Sequence, residues 1–222
     1  MSLRAVLFDM DGTLVDTEGL WWEACVTVAS ELGLELGDSD SGDVLGRPVE
    51  HVAARLVRSA RDGTGEPERE AVAVRLAEEF AERVAGGVTP LPGALRLLDD
   101  LGAAGVPIAL VSASPRRVVD IVLRTVGAER FRLVVASEDT AHGKPRPDPY
   151  LKAAAGLGAD PSRCVAVEDS PTGIAAARAA GCRVIAVPSD GAAPYGVLTV
   201  DSLEQVDLPM LRMLAAGQIS VG

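Results

Sequence analysis

LRAVLFDMDGT, residues 3–13, opens with a short apolar run that stops at Asp9. Such a run, with no alternation of polar and apolar positions, suits a strand buried on both faces of a parallel sheet. The pattern returns four times. VPIALV at 106–111 leads into SASP, RLVVA at 132–136 into SED, CVAV at 164–167 into EDSP, and RVIAV at 183–187 into PSD. Helical stretches fall between these runs. Residues 92–101 are expected to end at Gly102. Residues 115–126 have Ser114 as N-cap, Pro115 at the first helical position and Gly127 as stop. Residues 171–180 have Ser170 as cap and Gly181 as terminator. The β-α-β-α alternation predicts a doubly wound parallel α/β sheet with right-handed connections. Ligands of such sheets sit beyond the carboxyl ends of the strands, where the polar residues after each run converge.

Residues 17–87 break the rhythm with helices and no convincing strand. Residues 17–32, 48–60 and 67–84 each read as a helix. In the last, Ala73, Leu76, Ala77, Phe80, Ala81 and Val84 follow amphipathic spacing. Glu66, Glu68 and Glu70 favour its N-terminus, and Gly86 and Gly87 end it. Residues 62–65 (DGTG) read as an internal turn, and 86–92 (GGVTPLP) as a return hinge. The expected organisation is a core of residues 1–16 and 88–222, with an all-helical cap of residues 17–87 inserted.

The 222 residues are 48% hydrophobic and only 3% aromatic, so Ala, Val and Leu fill the core and wholesale disorder is excluded. With 21 Lys and Arg against 32 Asp and Glu, the net charge of −11 argues against nucleic-acid or anionic-membrane partners. Cys25, Cys164 and Cys182 form neither a disulfide framework nor a zinc motif. Reduced core thiols are expected, even if Cys164 and Cys182 lie on adjacent strands. No signal peptide and no membrane-length apolar run is found, so a cytoplasmic protein is expected.

Asp9 and Asp11, at i and i+2 on a turn closed by Gly12, can face one small volume. They fit either an Asx-type turn or a Mg²⁺ site, since a hard cation takes oxygen ligands. Glu168 and Asp169 stand at the same end of the sheet as a second acidic pair, by themselves open to a helix-capping role. Ser112 leads through Ala113 and Ser114 into a helix start, which is either an anion cradle or a plain N-cap. Lys144, between Gly143 and Pro145, is a solvated loop lysine taken alone. Beside four carboxylates and a hydroxyl it becomes a charge clamp.

DMDGT, then a Ser after a strand, then GKPRPDPY and VEDSPTGIAAARAAG, together resemble the haloacid dehalogenase superfamily. More narrowly, they resemble its β-phosphoglucomutase-like phosphatases with a helical cap. The resemblance spans nearly the whole chain and implies a Rossmann-like core. It implies Asp9 as nucleophile, Asp11 as general acid and then base, and Ser112, Lys144 and Thr13 as phosphate-binding residues. It implies Mg²⁺ as cofactor, held by Asp9, the backbone carbonyl of Asp11, and Asp169, with Glu168 in support. The second Asp of DxD separates the chain from dehalogenase relatives, and it favours phosphoryl transfer.

Cap residues are expected to choose the substrate. Arg47, Glu18, Trp21 and Arg116 are the candidates, each with a plain surface or core role as the alternative; His51 and His142 receive none. In β-phosphoglucomutases a His on the first cap helix couples closure to the acid/base Asp, whereas residues 16–23 here (DTEGLWWE) hold no His. The function expected is therefore Mg²⁺-dependent hydrolysis of a small phosphorylated metabolite, such as a sugar phosphate, by a monomer or weak dimer. A phosphomutase and a non-catalytic phosphometabolite-binding protein are the alternatives.

Overall fold

The first apolar run forms β1 (Ala5–Phe8), and all four of its residues are fully buried. The computed structural model describes residues 2–60, 68–188 and 196–219. After β1 come β2 (Val15–Asp16) and the helices α1 (Glu18–Glu31), α2 (Ser41–Val44), α3 (Val49–Ser59) and α4 (Arg69–Ala85). The chain continues through β3 (Thr89–Pro90), α5 (Ala94–Ala103), β4 (Ile108–Val111), α6 (Arg116–Val126) and β5 (Leu133–Val135). It ends with α7 (Asp148–Gly156), β6 (Cys164–Glu168), α8 (Pro171–Ala179), β7 (Arg183–Ala186), β8 (Leu198–Thr199) and α9 (Leu208–Ala215).

The main sheet has the order β5-β4-β1-β6-β7-β8, and every neighbouring pair is parallel. Val6 of β1 lies opposite Ile108 on one side and Val165 on the other. Because both faces are covered, β1, β4 and β5 are apolar throughout, and β6 is apolar up to Glu168. Val6, Phe8, Leu110 and Val167 face α5, α6 and α9. Ala5, Leu7, Ala109 and Ala166 face α7 and α8, whose Ala153, Ala154, Ala176 and Ala177 are small enough for close helix–sheet approach. Each fully buried aliphatic side chain contributes about 1.5–3 kcal/mol, which lets this aromatic-poor sequence hold a core.

The helices between β2 and β3 form the cap. α1 and α3 pack on α4, with Trp21 edge-on to Phe80 at 5.2 Å between ring centroids. α4 turns Val72, Leu76, Phe80, Ala81 and Val84 inward, so Val72 takes the buried place expected of Ala73. The chain enters and leaves the cap through a two-stranded antiparallel ribbon, in which Val15 pairs with Pro90 and Asp16 with Thr89.

Two local expectations need revision. Gly102 lies inside α5 rather than ending it; the stop is made by Gly105, at φ +65°. Ser114 does not cap α6. The first amide of that helix, on Arg116, donates to the Glu138 carboxylate at 3.0 and 3.1 Å. Residues 148–156, which follow the loop that carries Lys144, form α7. The turn at 62–65, together with Glu66 and Pro67, lies outside the described residues. All three cysteines are buried free thiols whose pKa burial pushes up. Val165 pairs with Arg183, which sets Cys164 and Cys182 beside each other at the start of β6 and β7. Among the described residues, no helix is long and apolar enough to cross a membrane.

Candidate active site

Three neighbouring strands deliver polar residues to one end of the sheet. Asp9 follows β1, Ser112 follows β4, and Glu168 and Asp169 stand at the end of β6. All four are buried, and so is Lys144 from the loop before α7. Burying them requires partners. Lys144 Nζ donates to Asp9 Oδ1 at 2.5 Å and to Glu168 Oε1 at 2.6 Å. Tyr150 Oη donates to the same Glu168 oxygen, and Ser170 Oγ donates to Oε2 at 3.3 Å.

Asp11 lies across from this pair. Thr17 Oγ1 donates to its Oδ1 at 2.8 Å, while Ser114 Oγ and Ser112 Oγ donate to its Oδ2 at 2.7 and 3.2 Å. Ser112 Oγ also accepts the Ser114 backbone N–H at 2.9 Å. The turn that brings Asp9 and Asp11 together depends on Gly12, at φ +77°. A Cβ at Gly12 would stand 2.2 Å from Asp169 Oδ2.

The electrostatics are unbalanced. One ligand atom from each of Asp9, Glu168 and Asp169 lies within 4.8 Å of the others. Among the described residues a single ammonium, Lys144, faces these three carboxylates and pairs with two of them, Asp9 and Glu168. Burial, opposed by Lys144 but reinforced by Glu168 and Asp11, raises the Asp9 pKa to about 7. Burial and then Asp9 and Glu168 push Asp169 well above the carboxylate range. Asp11 is raised by burial against its three hydroxyl donors. Burial disfavours the charge of Lys144, but Asp9 and Glu168 outweigh it, leaving the pKa raised. Positive charge is thus lacking among oxygen donors, and a divalent cation fits that donor set.

The cap closes this floor into a narrow cleft. Asp9, Asp11, Lys144 and Asp169 line its base, and Glu18, Trp21, Arg47, Val49 and Phe80 line the cap side. Trp21 spends its indole N–H on Val44 O at 2.9 Å, so its ring serves as wall. The core holds the cap loop where Thr172 Oγ1 donates to Gly46 O at 3.1 Å. Of the specificity candidates, Glu18, Trp21 and Arg47 line the cleft. Arg116 does not: its guanidinium is held by Asp139 and by Val134 O. Thr13 is also directed elsewhere. It is fully buried and donates to Asp169 Oδ1 at 3.4 Å, beneath the acidic cluster rather than in the cleft. Ser112 borders an adjoining groove with Lys144, Arg47 and His51.

Thr17, Tyr150 and Thr172 hold positions here that the sequence reading did not single out, and Ser114, read there as a helix cap, donates to Asp11 instead. Thr17 sits one turn beyond DMDGT and was readable as a neighbour of Asp11. Ser114 and Tyr150 meet their partners only through the sheet order.

Comparison with known proteins adds the family. A haloacid dehalogenase-like hydrolase model matches residues 3–181. Hexitol phosphatase A of Escherichia coli is 36% identical over 209 residues, 93% of this chain and 94% of that protein. Protein CbbY of Rhodobacter capsulatus is 32% identical over 198 residues, 86% of this chain and 87% of that protein. The crystal structure of CbbY from Rhodobacter sphaeroides in complex with phosphate superposes with a TM-score of 0.85 at 27% identity, covering 94% of this chain and 99% of that one. With paired acids at adjacent strand ends, a buried lysine between them and a helical cap above, the chain belongs to the haloacid dehalogenase-like hydrolases.

Proposed function

We propose that this hydrolase is a Mg²⁺-dependent phosphatase acting on a small phosphorylated metabolite through an aspartyl-phosphate on Asp9. The carrying observation is the pairing of Asp9 with Lys144 at the base of a capped cleft, with Asp11 held opposite by three hydroxyls. Asp9, Asp169, Glu168 and the Asp11 carbonyl are the groups that would hold Mg²⁺. When bound, the ion offsets the repulsion between a carboxylate and a dianionic phosphate.

The chain's own residues do the remaining work. Lys144 and Ser112 bind phosphoryl oxygens and orient the phosphorus toward Asp9. An Asp9 oxygen bonds to phosphorus as the bond to the leaving oxygen breaks, and protonated Asp11 gives its proton to that oxygen. Asp11, now ionised, takes a proton from water, which attacks phosphorus and releases Asp9 and inorganic phosphate. The raised pKa of Asp11 suits the first of these tasks.

Hydrolysis is proposed over mutase chemistry because the first turns of α1 hold two tryptophans and no His, and Trp21 N–H is already engaged. Nothing there would keep Asp11 from activating water. The test is phosphate release from a panel of sugar phosphates, polyol phosphates and phosphoglycolate. Activity should vanish with EDTA and return with Mg²⁺, and folded Asp9→Asn should lose more than about a thousandfold. Activity surviving chelation, or near-native Asp9→Asn, overturns the reading. Glucose 6-phosphate appearing from β-glucose 1-phosphate and trace glucose 1,6-bisphosphate much faster than inorganic phosphate would make it a mutase.

A further inference from the structure

Tyr150 is fully buried and ranks among the largest such side chains of the protein. Its ring packs in the alanine-rich layer between α7, α8 and the sheet, where a phenylalanine would serve for packing alone. A buried phenol hydroxyl needs a partner, and the partner here is unusual for a core tyrosine. Tyr150 Oη donates to Glu168 Oε1, the same oxygen that receives Lys144 Nζ at 2.6 Å. On its other side the Glu168 carboxylate lies against the bare Cα of Gly173. A Cβ there would stand 2.0 Å from both Glu168 oxygens. Tyr150 and Ser170, with the space that Gly173 leaves, therefore hold the carboxylate, and the carboxylate fixes one of the two bonds that hold Lys144.

Building on the phosphatase reading, we propose that Tyr150 is a positioning residue of the phosphate clamp, acting through Glu168 on Lys144. Lys144 has three N–H groups. Asp9 and Glu168 take one each, which leaves one for a phosphoryl oxygen. Where that third N–H points depends on where the other two are anchored. The prolines at 145 and 147 link Lys144 to α7, so one short segment carries both the clamp and the hydroxyl that orients its anchor. The Lys144 ammonium also lies 5.2 Å from the Tyr150 ring centroid, and this contact survives loss of the hydroxyl.

Tyr150→Phe separates the two contributions, because it keeps the ring and deletes only the donor. Calorimetric affinity for inorganic phosphate, in the presence of Mg²⁺, should fall about tenfold. The phosphate inhibition constant should rise in parallel, with most of the loss in kcat/KM appearing in KM. Because Glu168 is also among the groups that would hold Mg²⁺, the Mg²⁺ concentration for half-activation is titrated alongside and should shift by a smaller factor than the phosphate affinity. Gly173→Ala crowds the same carboxylate from behind and should move phosphate affinity in the same direction. A folded Tyr150→Phe protein with unchanged phosphate affinity and unchanged kcat/KM overturns the proposal, as does a shift in Mg²⁺ dependence with phosphate affinity intact. A wild-type protein that neither hydrolyses phosphoesters nor binds phosphate removes the phosphatase reading itself. A wild-type enzyme unaffected by Tyr150→Phe removes only the role of the tyrosine.

Discussion

Asp11 holds its place through Thr17, Ser112 and Ser114, and Asp169 through the space that Gly12 leaves open. Gly12→Ala is the sharpest test of that space. The added Cβ meets Asp169 Oδ2 at 2.2 Å, and φ +77° already disfavours a side chain. We expect a folded protein whose Mg²⁺ activation curve moves to at least about tenfold higher concentration, read by titrating Mg²⁺ against phosphate release. The charge imbalance gives a second expectation for the metal-free protein. Asp9 rises from 3.8 to about 7 on folding, so the native state binds more protons than the unfolded chain across that interval. Stability in EDTA should therefore decline as pH rises from about 4 to about 7, with Asp169 acting in the same direction. Melting temperatures across this range check it. Saturating Mg²⁺ should largely remove the decline, and Asp9→Asn should reduce it even without metal, leaving the part due to Asp169.

Among the elements, α4 and α1 carry the wall of the cleft. Phe80 is buried edge-on against Trp21, and both line the cavity. Phe80→Ala should cost about 3–5 kcal/mol of stability, measured by denaturant unfolding. It should raise KM far more than it lowers kcat, because the chemistry sits on the sheet below. The strands were legible because burial on both faces leaves a short apolar run with a polar stop, visible at 3–9, 106–112 and 164–168 without any long-range information. The same rule located Asp9, Ser112, Glu168 and Asp169, since each is the stop. Helix ends were less legible. Gly102 is tolerated inside α5 at about 1 kcal/mol, so composition alone could not distinguish it from Gly105. The start of α6 is capped by Glu138, which comes from the far side of β5. A carboxylate 22 residues away leaves no local signature. It also explains Arg116, whose guanidinium is drawn to the same segment by Asp139. Tyr150 was hidden for the same reason, since its partner is chosen by the position of α7 against β1, β4 and β5.

At the scale of the molecule, cap and core share one continuous apolar cluster, from Leu56 and Leu76 in the cap to Val118 and Val167 in the core. Yet the backbone crosses between them only at β2 and β3, where Asp16 and Thr89 are cross-strand partners. We take this ribbon as the boundary of the inserted unit. Everything between those two residues is then a cassette with fixed splice points, and the reaction centre lies wholly outside it apart from Thr17. Exchanging the segment for that of another cap of the same kind, with Thr17 kept, should transplant substrate preference while leaving Mg²⁺ dependence and the effect of Asp9→Asn as they were. A chimera whose preference still follows the core would place selectivity in the sheet loops instead. The ribbon would thus let new substrates be acquired by replacing one stretch of sequence, with the phosphoryl-transfer machinery inherited intact.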